Sequence, residues 1–209
     1  MRIDPAGYPF VAGALVAAVL VGSIASWALA VPLVLLAGAF TFFFRDPDRA
    51  VTDDPAAVLS PADGRVMVAG ATTGHATPPG NWQQISIFLS PMDVHVNRIP
   101  IGGRVTRVQY HPGRFLPAYK AEAGDLNEYT EVWIEHEGQA IVFRQIVGIL
   151  ARRIVCRVRE GDLVKAGDRF GVMKFGSRMD LFLPPSARLR VNPGEQVMGA
   201  VTVLAELRR

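Results

Sequence analysis

From Pro9 to Phe44 the chain carries no charged side chain, and after Arg49 it breaks into short alternating apolar and polar runs punctuated by Gly, Pro and Asp. The first pattern is that of a membrane segment, since a bilayer core takes about 20 apolar residues per helix and roughly 17 at minimum. It accommodates one long tilted helix or two short ones. Gly22-Ser23 and Ser26 near the middle are turn signals and Pro32 fits the first turn of a second helix, so a tight helical hairpin is expected. Such a hairpin either spans the bilayer or dips into it. A cleavable leader is the competing reading, because Ala28-Leu29-Ala30 looks like a cleavage site, but apolar sequence continues for about another dozen residues beyond it. Arg2 before the run and Arg45 and Arg49 after it place both flanks on the cytoplasmic side of the cell membrane.

The second pattern predicts β-strands at 65–69, 83–89, 94–98, 104–110, 130–135, 140–147, 154–158, 169–175, 179–183 and 197–204. Residues 115–126 are the one place for a short helix or a mobile loop. Two Gly-acid turns, Glu160-Gly161-Asp162 through Gly167-Asp168 and Asn192-Pro193-Gly194-Glu195, each feed a Val-containing strand. Such turns resemble those of the barrel-sandwich modules that include lipoyl and biotinyl carriers. The expected architecture is a mainly β, barrel-sandwich-like domain at 50–209 following a hydrophobic helical hairpin and linker at 1–49. A chain of 209 residues suits one such domain with an accessory segment.

Composition changes this picture little. A formal charge of +3 fits work beside anionic lipid but is also ordinary for a soluble protein, and no nucleic-acid partner is expected. With Cys156 as the single cysteine, an intramolecular disulfide and a Cys-rich metal site are excluded. Ile154, Cys156 and Val158 alternate onto one strand face, which reads Cys156 as a small buried hydrophobe. The four histidines lack paired ligand spacing, so no metal is expected.

His75 falls in a Gly- and Pro-rich loop and His136 in a turn, both ordinary settings, while His111 precedes Pro112-Gly113 at a strand end and is a candidate substrate-binding residue. His95 stands apart. Asp93, His95 and Asn97 alternate with Val94 and Val96, so on a strand they share one face, either a solvated one or one arranged for oriented proton transfer. Ser60-Pro61-Ala62-Asp63-Gly64 is a tight turn entering a strand. Gly176-Ser177 joins a torsionally permissive residue to a hydroxyl able to attack the carbonyl before it.

Ser60-Pro61-Ala62-Asp63-Gly64, Asp93 through Pro100, Tyr110-His111-Pro112-Gly113-Arg114-Phe115 and Phe175-Gly176-Ser177-Arg178, in this order, resemble phosphatidylserine decarboxylase proenzymes of the short bacterial and archaeal branch. Gln145 through Gly148 and Ala151 through Ile154 are similar to that branch as well. The resemblance implies self-cleavage between Gly176 and Ser177, giving a β chain of residues 1–176 and an α chain of residues 177–209 whose first residue becomes a pyruvoyl cofactor. It implies phosphatidylserine in the membrane as substrate and phosphatidylethanolamine as product, and is compatible with a homodimer. His95 is then the catalytic acid, and Asp63 matches the family's acidic residue implicated in self-cleavage. Larger bacterial members have a second histidine where this chain has Arg98 and Leu-Gly-Ser-Thr where it has Phe175-Gly176-Ser177-Arg178. Arginine stays protonated and makes a poor base. Two assignments stay open: His95 serving both steps with support from Asp63, and Arg98 or Arg178 binding the lipid phosphate or carboxylate. A carrier module biotinylated at Lys174, within Met173-Lys174-Phe175, is the rival reading, and a noncatalytic anchored β-domain is a third.

Overall fold

The computed structural model describes residues 2–72, 77–149, 153–174 and 177–208, and divides into two units, Met1–Asp48 and Arg49–Arg209. His75, Ala151, Arg152, Phe175 and Gly176 lie outside the described residues.

In the first unit, β1 (Arg2–Ile3) precedes α1 (Tyr8–Ile24), α2 (Trp27–Phe43) and β2 (Arg45–Asp46). The helical pair expected from the uncharged run is present, with its turn at Ala25-Ser26. There the Ser26 hydroxyl accepts the Leu29 N–H at 3.4 Å as the N-cap of α2. Pro32 departs from expectation: it lies inside α2, beyond the first turn, and its missing N–H removes one donor from the helix ladder. Ala14, Ala18 and Gly22 recur every fourth residue of α1 and are buried, as are Ala30 and Ala37 of α2, whereas Val19, Leu20, Leu29 and Leu35 face outward. Apart from the buried Phe43, small residues inside and large apolar ones outside invert the soluble pattern and suit helices that meet in lipid by close backbone approach. A Cβ at Gly22 would come within 2.6 Å of the Trp27 ring. Residues Pro5–Ile24 are long and apolar enough to cross a membrane. β1 pairs antiparallel with β2, Arg2 opposite Asp46 and Ile3 opposite Arg45, so the two ends of the hairpin lie side by side.

The second unit contains β3 (Ala57–Leu59), β4 (Gly64–Ala71), β5 (Gln83–Leu89), β6 (Val96–Arg98), β7 (Gly103–His111), α3 (Ala123–Leu126), β8 (Tyr129–His136) and β9 (Gln139–Ile146). It continues with β10 (Ile154–Cys156), β11 (Leu163–Val164), β12 (Arg169–Met173), β13 (Ser177–Leu183), β14 (Arg188–Leu189), β15 (Gln196–Val197) and β16 (Val203–Glu206). An eight-stranded antiparallel sheet runs β11-β7-β8-β9-β13-β5-β4-β15, accompanied by three-stranded sheets β10-β12-β6 and β14-β16-β3. The mainly β class with an N-terminal helical pair is what the structure has.

One face of the large sheet presents Ile85, Ile87, Leu89, Met179, Leu181, Val132, Ile134, Ile141 and Phe143 to a common core that Ile99, Phe170 and Leu204 also enter. The two Gly-acid turns deliver its outermost strands, β11 and β15. Gly161, Gly167 and Gly194 take left-handed φ of 92°, 82° and 95°, which glycine adopts without a Cβ penalty. The Asp162 and Asp168 carboxylates close their turns by accepting the N–H groups of Arg159 and Lys165, each at 2.8 Å.

Several expectations change in detail. The 197–204 run is two strands, β15 and β16, parted by a turn in which Ala200 has φ 61°. Only Val96–Arg98 of the 94–98 run is a strand, only Ala123–Leu126 of 115–126 is helix, and the 169–175 run ends as a strand at Met173. Cys156 is half-buried against the core, and burial pushes its thiol pKa up.

Candidate active site

Ser177 is the first residue of β13, held between β5 and β9 inside the large sheet. Every residue of this strand is buried, and alternation divides it into Ser177, Met179, Leu181 and Leu183 on the core face and Arg178, Asp180 and Phe182 on the other. The Ser177 side chain is 0% exposed, and its hydroxyl has no hydrogen-bond partner among the described residues. Burying a hydroxyl unpaired costs about 1–3 kcal/mol, so such groups concentrate where a chain uses them.

β6 is tied to this place twice. It pairs with β12, Val96 opposite Val172 and Asn97 opposite Gly171, and the Met173 N–H reaches the carbonyl of His95 at 3.4 Å. The chain therefore leaves His95 only four residues before it arrives at Ser177. A second tie comes from β9, where Gln145 lies opposite Met179 and hence diagonally across from Ser177. Its Nε2 donates to Asn97 Oδ1 at 2.8 Å.

His95 is 0% exposed, and its Nδ1 lies 3.0 Å from the carbonyl oxygen of Asp93. A carbonyl only accepts, so Nδ1 carries the proton and Nε2 is the basic nitrogen of the neutral ring. The shared polar face of Asp93, His95 and Asn97 is not formed. Asp93 sits in the turn before β6, where its carboxylate accepts the Ser90 N–H at 2.8 Å, and residues 94–100 are buried rather than solvated. The main chain of Asp93, not its side chain, orients the imidazole.

Asp63 accepts from Arg49 Nη2 at 2.8 Å and from the Gly199 N–H at 2.7 Å, and bonds to neither His95 nor Ser177. It nonetheless stands close to β6, because the Arg98 N–H donates to Pro61 O at 2.8 Å, two residues away. Arg98 is buried and sends Nη1 to the Gly167 carbonyl at 3.2 Å.

The sequence matches the phosphatidylserine decarboxylase family over residues 36–205. It is 42% identical over 205 residues to the phosphatidylserine decarboxylase proenzyme of Solibacter usitatus, covering 98% of this chain and 97% of that one. It is 44% identical over 171 residues to the proenzyme of Pelodictyon phaeoclathratiforme, covering 81% and 80%. Against the proenzyme of Nitrosomonas eutropha the figures are 42% over 203 residues, 97% and 94%. The chain belongs to the phosphatidylserine decarboxylase family.

In this phosphatidylserine decarboxylase family member, two of the sequence-derived site residues lie away from Ser177. All three guanidinium nitrogens of Arg178 are engaged: Nε and Nη2 with Asp180 at 2.6 and 2.9 Å, Nη2 also with Ser86 at 3.0 Å, and Nη1 with the Lys120 carbonyl at 3.5 Å. Strand alternation puts this network on the sheet face opposite Ser177. His111 shares that face three strands further on, along the row Arg178, Ile146, Tyr129, His111. It stacks on Tyr129 with centroids 4.4 Å apart, and burial lowers its pKa.

Gln145, which the sequence offered only within the Gln145 to Gly148 resemblance and without a role, joins the site here. It is the polar member of the core-facing series Ile141, Phe143, Gln145, a break in the apolar alternation. Its position also depends on Gly171, where an added Cβ would lie 2.3 Å from the Val155 carbonyl oxygen and 2.5 Å from Gln145 Nε2. Gly171→Ala should therefore part β10 from β12 and break the Gln145 link to Asn97. The expected loss is about 1–3 kcal/mol, read by chemical denaturation of the uncut Ser177→Ala chain with and without the second substitution. An unchanged midpoint would show that β10 yields freely.

Proposed function

We propose that this chain is made as a proenzyme that cuts itself between Gly176 and Ser177 and then converts membrane phosphatidylserine to phosphatidylethanolamine with a pyruvoyl group derived from Ser177. The observation that carries the reading is the buried, unpartnered hydroxyl at the head of β13, within a family whose relatives are named proenzymes. Ser177 Oγ attacks the Gly176 carbonyl, turning the amide into an ester and freeing the Ser177 amine. Loss of the Cα proton then expels the Gly176 carboxylate, and water replaces the nitrogen of the resulting dehydroalanine, which leaves as ammonia. His95, with Asp93 holding its Nδ1 proton, is positioned to take and return protons at Nε2. Asp63 is a positioning residue here: through Arg49, Gly199 and the turn beside Arg98 it fixes β6, the strand that follows His95. Arg98 stays protonated and is assigned no base role; binding of the lipid phosphate or carboxylate remains its proposed use, whereas Arg178 and His111 are given none.

The surroundings fit the pyruvoyl group. Beside the orphaned Ser177 hydroxyl, Asn97 Nδ2 is a buried donor with no partner among the described residues, suited to a carbonyl oxygen. The group supplies an electron sink for the pair left behind when carbon dioxide departs. His95 Nε2–H then delivers a proton to the carbon that has lost its carboxylate.

Residues 177–209 would remain attached after scission, since β13 lies between β5 and β9 and β16 pairs with β3. The domain assignment follows: an anchor and linker at 1–49 and a catalytic β domain at 50–209. The paired ends of the hairpin support placing both flanks, and the catalytic domain, on the cytoplasmic side of the cell membrane. Intact-mass measurement of the denatured protein tests the reading. Two fragments, the smaller with a blocked pyruvoyl terminus, are expected; one intact chain, with or without a biotin adduct at Lys174, would overturn it.

A further inference from the structure

The strand ends at Ser177 form a rim of the large sheet. β13 begins there; β5 ends there at Leu89, β9 at Ile146 and β7 at His111, while β8 starts at Tyr129 and β4 at Gly64. The loops that extend beyond this rim carry exposed large apolar residues: Met92 after β5, Phe115, Tyr119 and Leu126 between β7 and β8, Ile149 after β9 and Met198 after β15. Met92 is 67% exposed and Tyr119 63%, values that solvent alone does not favour. At the far end of β7, Leu163 on β11 lies opposite Arg104 and is itself 75% exposed.

Chain connectivity says what covers this rim. Arg49, the first residue of the β unit after the apolar hairpin, is held there by the Asp63 carboxylate, so the segment leading from the hairpin enters the unit at the rim that bears Ser177. We infer that the rim docks on the bilayer surface, Phe115 and Tyr119 entering the headgroup region so that a lipid amine reaches residue 177 without leaving the membrane. The inference rests on the lipid substrate of the proposed function. Arg114 and Lys120 share the loop with Glu122, Asp125 and Glu128, so the loop carries no net positive charge and the attachment is apolar rather than electrostatic.

The test uses the full chain in phosphatidylcholine vesicles, with Cys156→Ser and a fluorophore on Tyr119→Cys or, as control, Leu163→Cys. Nitroxide-bearing lipids should quench the label at 119 well above that at 163, and 1 M salt should leave the difference intact, since roughly 3 Å of screening length remains there. Equal quenching, or a difference abolished by salt, would overturn the docking. Separately, Phe115→Ser with Tyr119→Ser should slow turnover of phosphatidylserine in vesicles roughly tenfold, the effect of losing one buried aromatic contact. Turnover of a monomeric short-chain phosphatidylserine should be unchanged; equal loss on both substrates counts against the rim. A wild-type chain inactive on both would instead defeat the proposed function, whatever the labels report.

Discussion

Ser177→Ala yields one uncut chain of 209 residues that releases no carbon dioxide. The expected loss is complete because, under the proposed reading, a single atom serves three purposes: Oγ is the nucleophile, the ester oxygen and the leaving group whose departure makes the dehydroalanine that water converts to the ketone. Alanine supplies none of them, and neither His95 nor Asp63 can compensate. The fold is spared, since the Ser177 hydroxyl has no hydrogen-bond partner among the described residues, and replacing such a buried hydroxyl by hydrogen is worth up to about 1–3 kcal/mol in favour of the variant. Denaturing electrophoresis with intact mass reads the first outcome and thermal unfolding the second. Normal scission would remove Ser177 from the mechanism, and an unfolded variant would show that its hydroxyl has a partner.

His95→Ala has the second largest effect. In whatever fraction cleaves, decarboxylation should fall by roughly 10²–10⁴, the usual worth of a positioned proton donor. The imidazole is wholly buried, its tautomer is set by the Asp93 carbonyl, and β6 and β12 bring its main chain beside the segment that leads into Ser177. If His95 also starts self-cleavage, scission slows in parallel, so the uncut and cut fractions are measured before turnover is divided by the amount of cut enzyme. Normal turnover per cut molecule would take His95 out of the reaction. His95→Gln helps here, because its amide can still donate to Asp93 O and partly fill the site while being unable to titrate.

The hairpin was legible in the sequence because absence of charge over a long run has few other causes, and of its two turn signals, Gly22-Ser23 and Ser26, the turn uses Ser26, whose hydroxyl caps the second helix. The strands were legible through alternation, and β5 has the expected bounds, Gln83–Leu89. Alternation misled at Asp93, where a short carboxylate closing a turn onto the Ser90 N–H competes with the strand and wins. Ser177 itself could be seen as a hydroxyl after a glycine, but not as a buried and unpartnered one. That fact depends on the register of β13 between β5 and β9, which no local window contains. The Gln145 to Asn97 bond spans 48 residues, and Arg178 looked free because its partners Asp180 and Ser86 are assembled only by strand pairing. Short-range chemistry was readable, and contacts made across strands were not.

The position of β13 has a consequence for the life of the mature molecule. Under the proposed reading, the chain folds once as a single polymer, with β13 already between its neighbours, and is severed only afterwards. The cut turns an intramolecular fold into an association of two separate polypeptides, so a denatured mature enzyme must find its missing strand by diffusion. Its return to the native state becomes second order in protein and competes with aggregation of the exposed edges of β5 and β9. Maturation is thus a one-way door: the information needed to rebuild the sheet in one step is spent in making the reactive end.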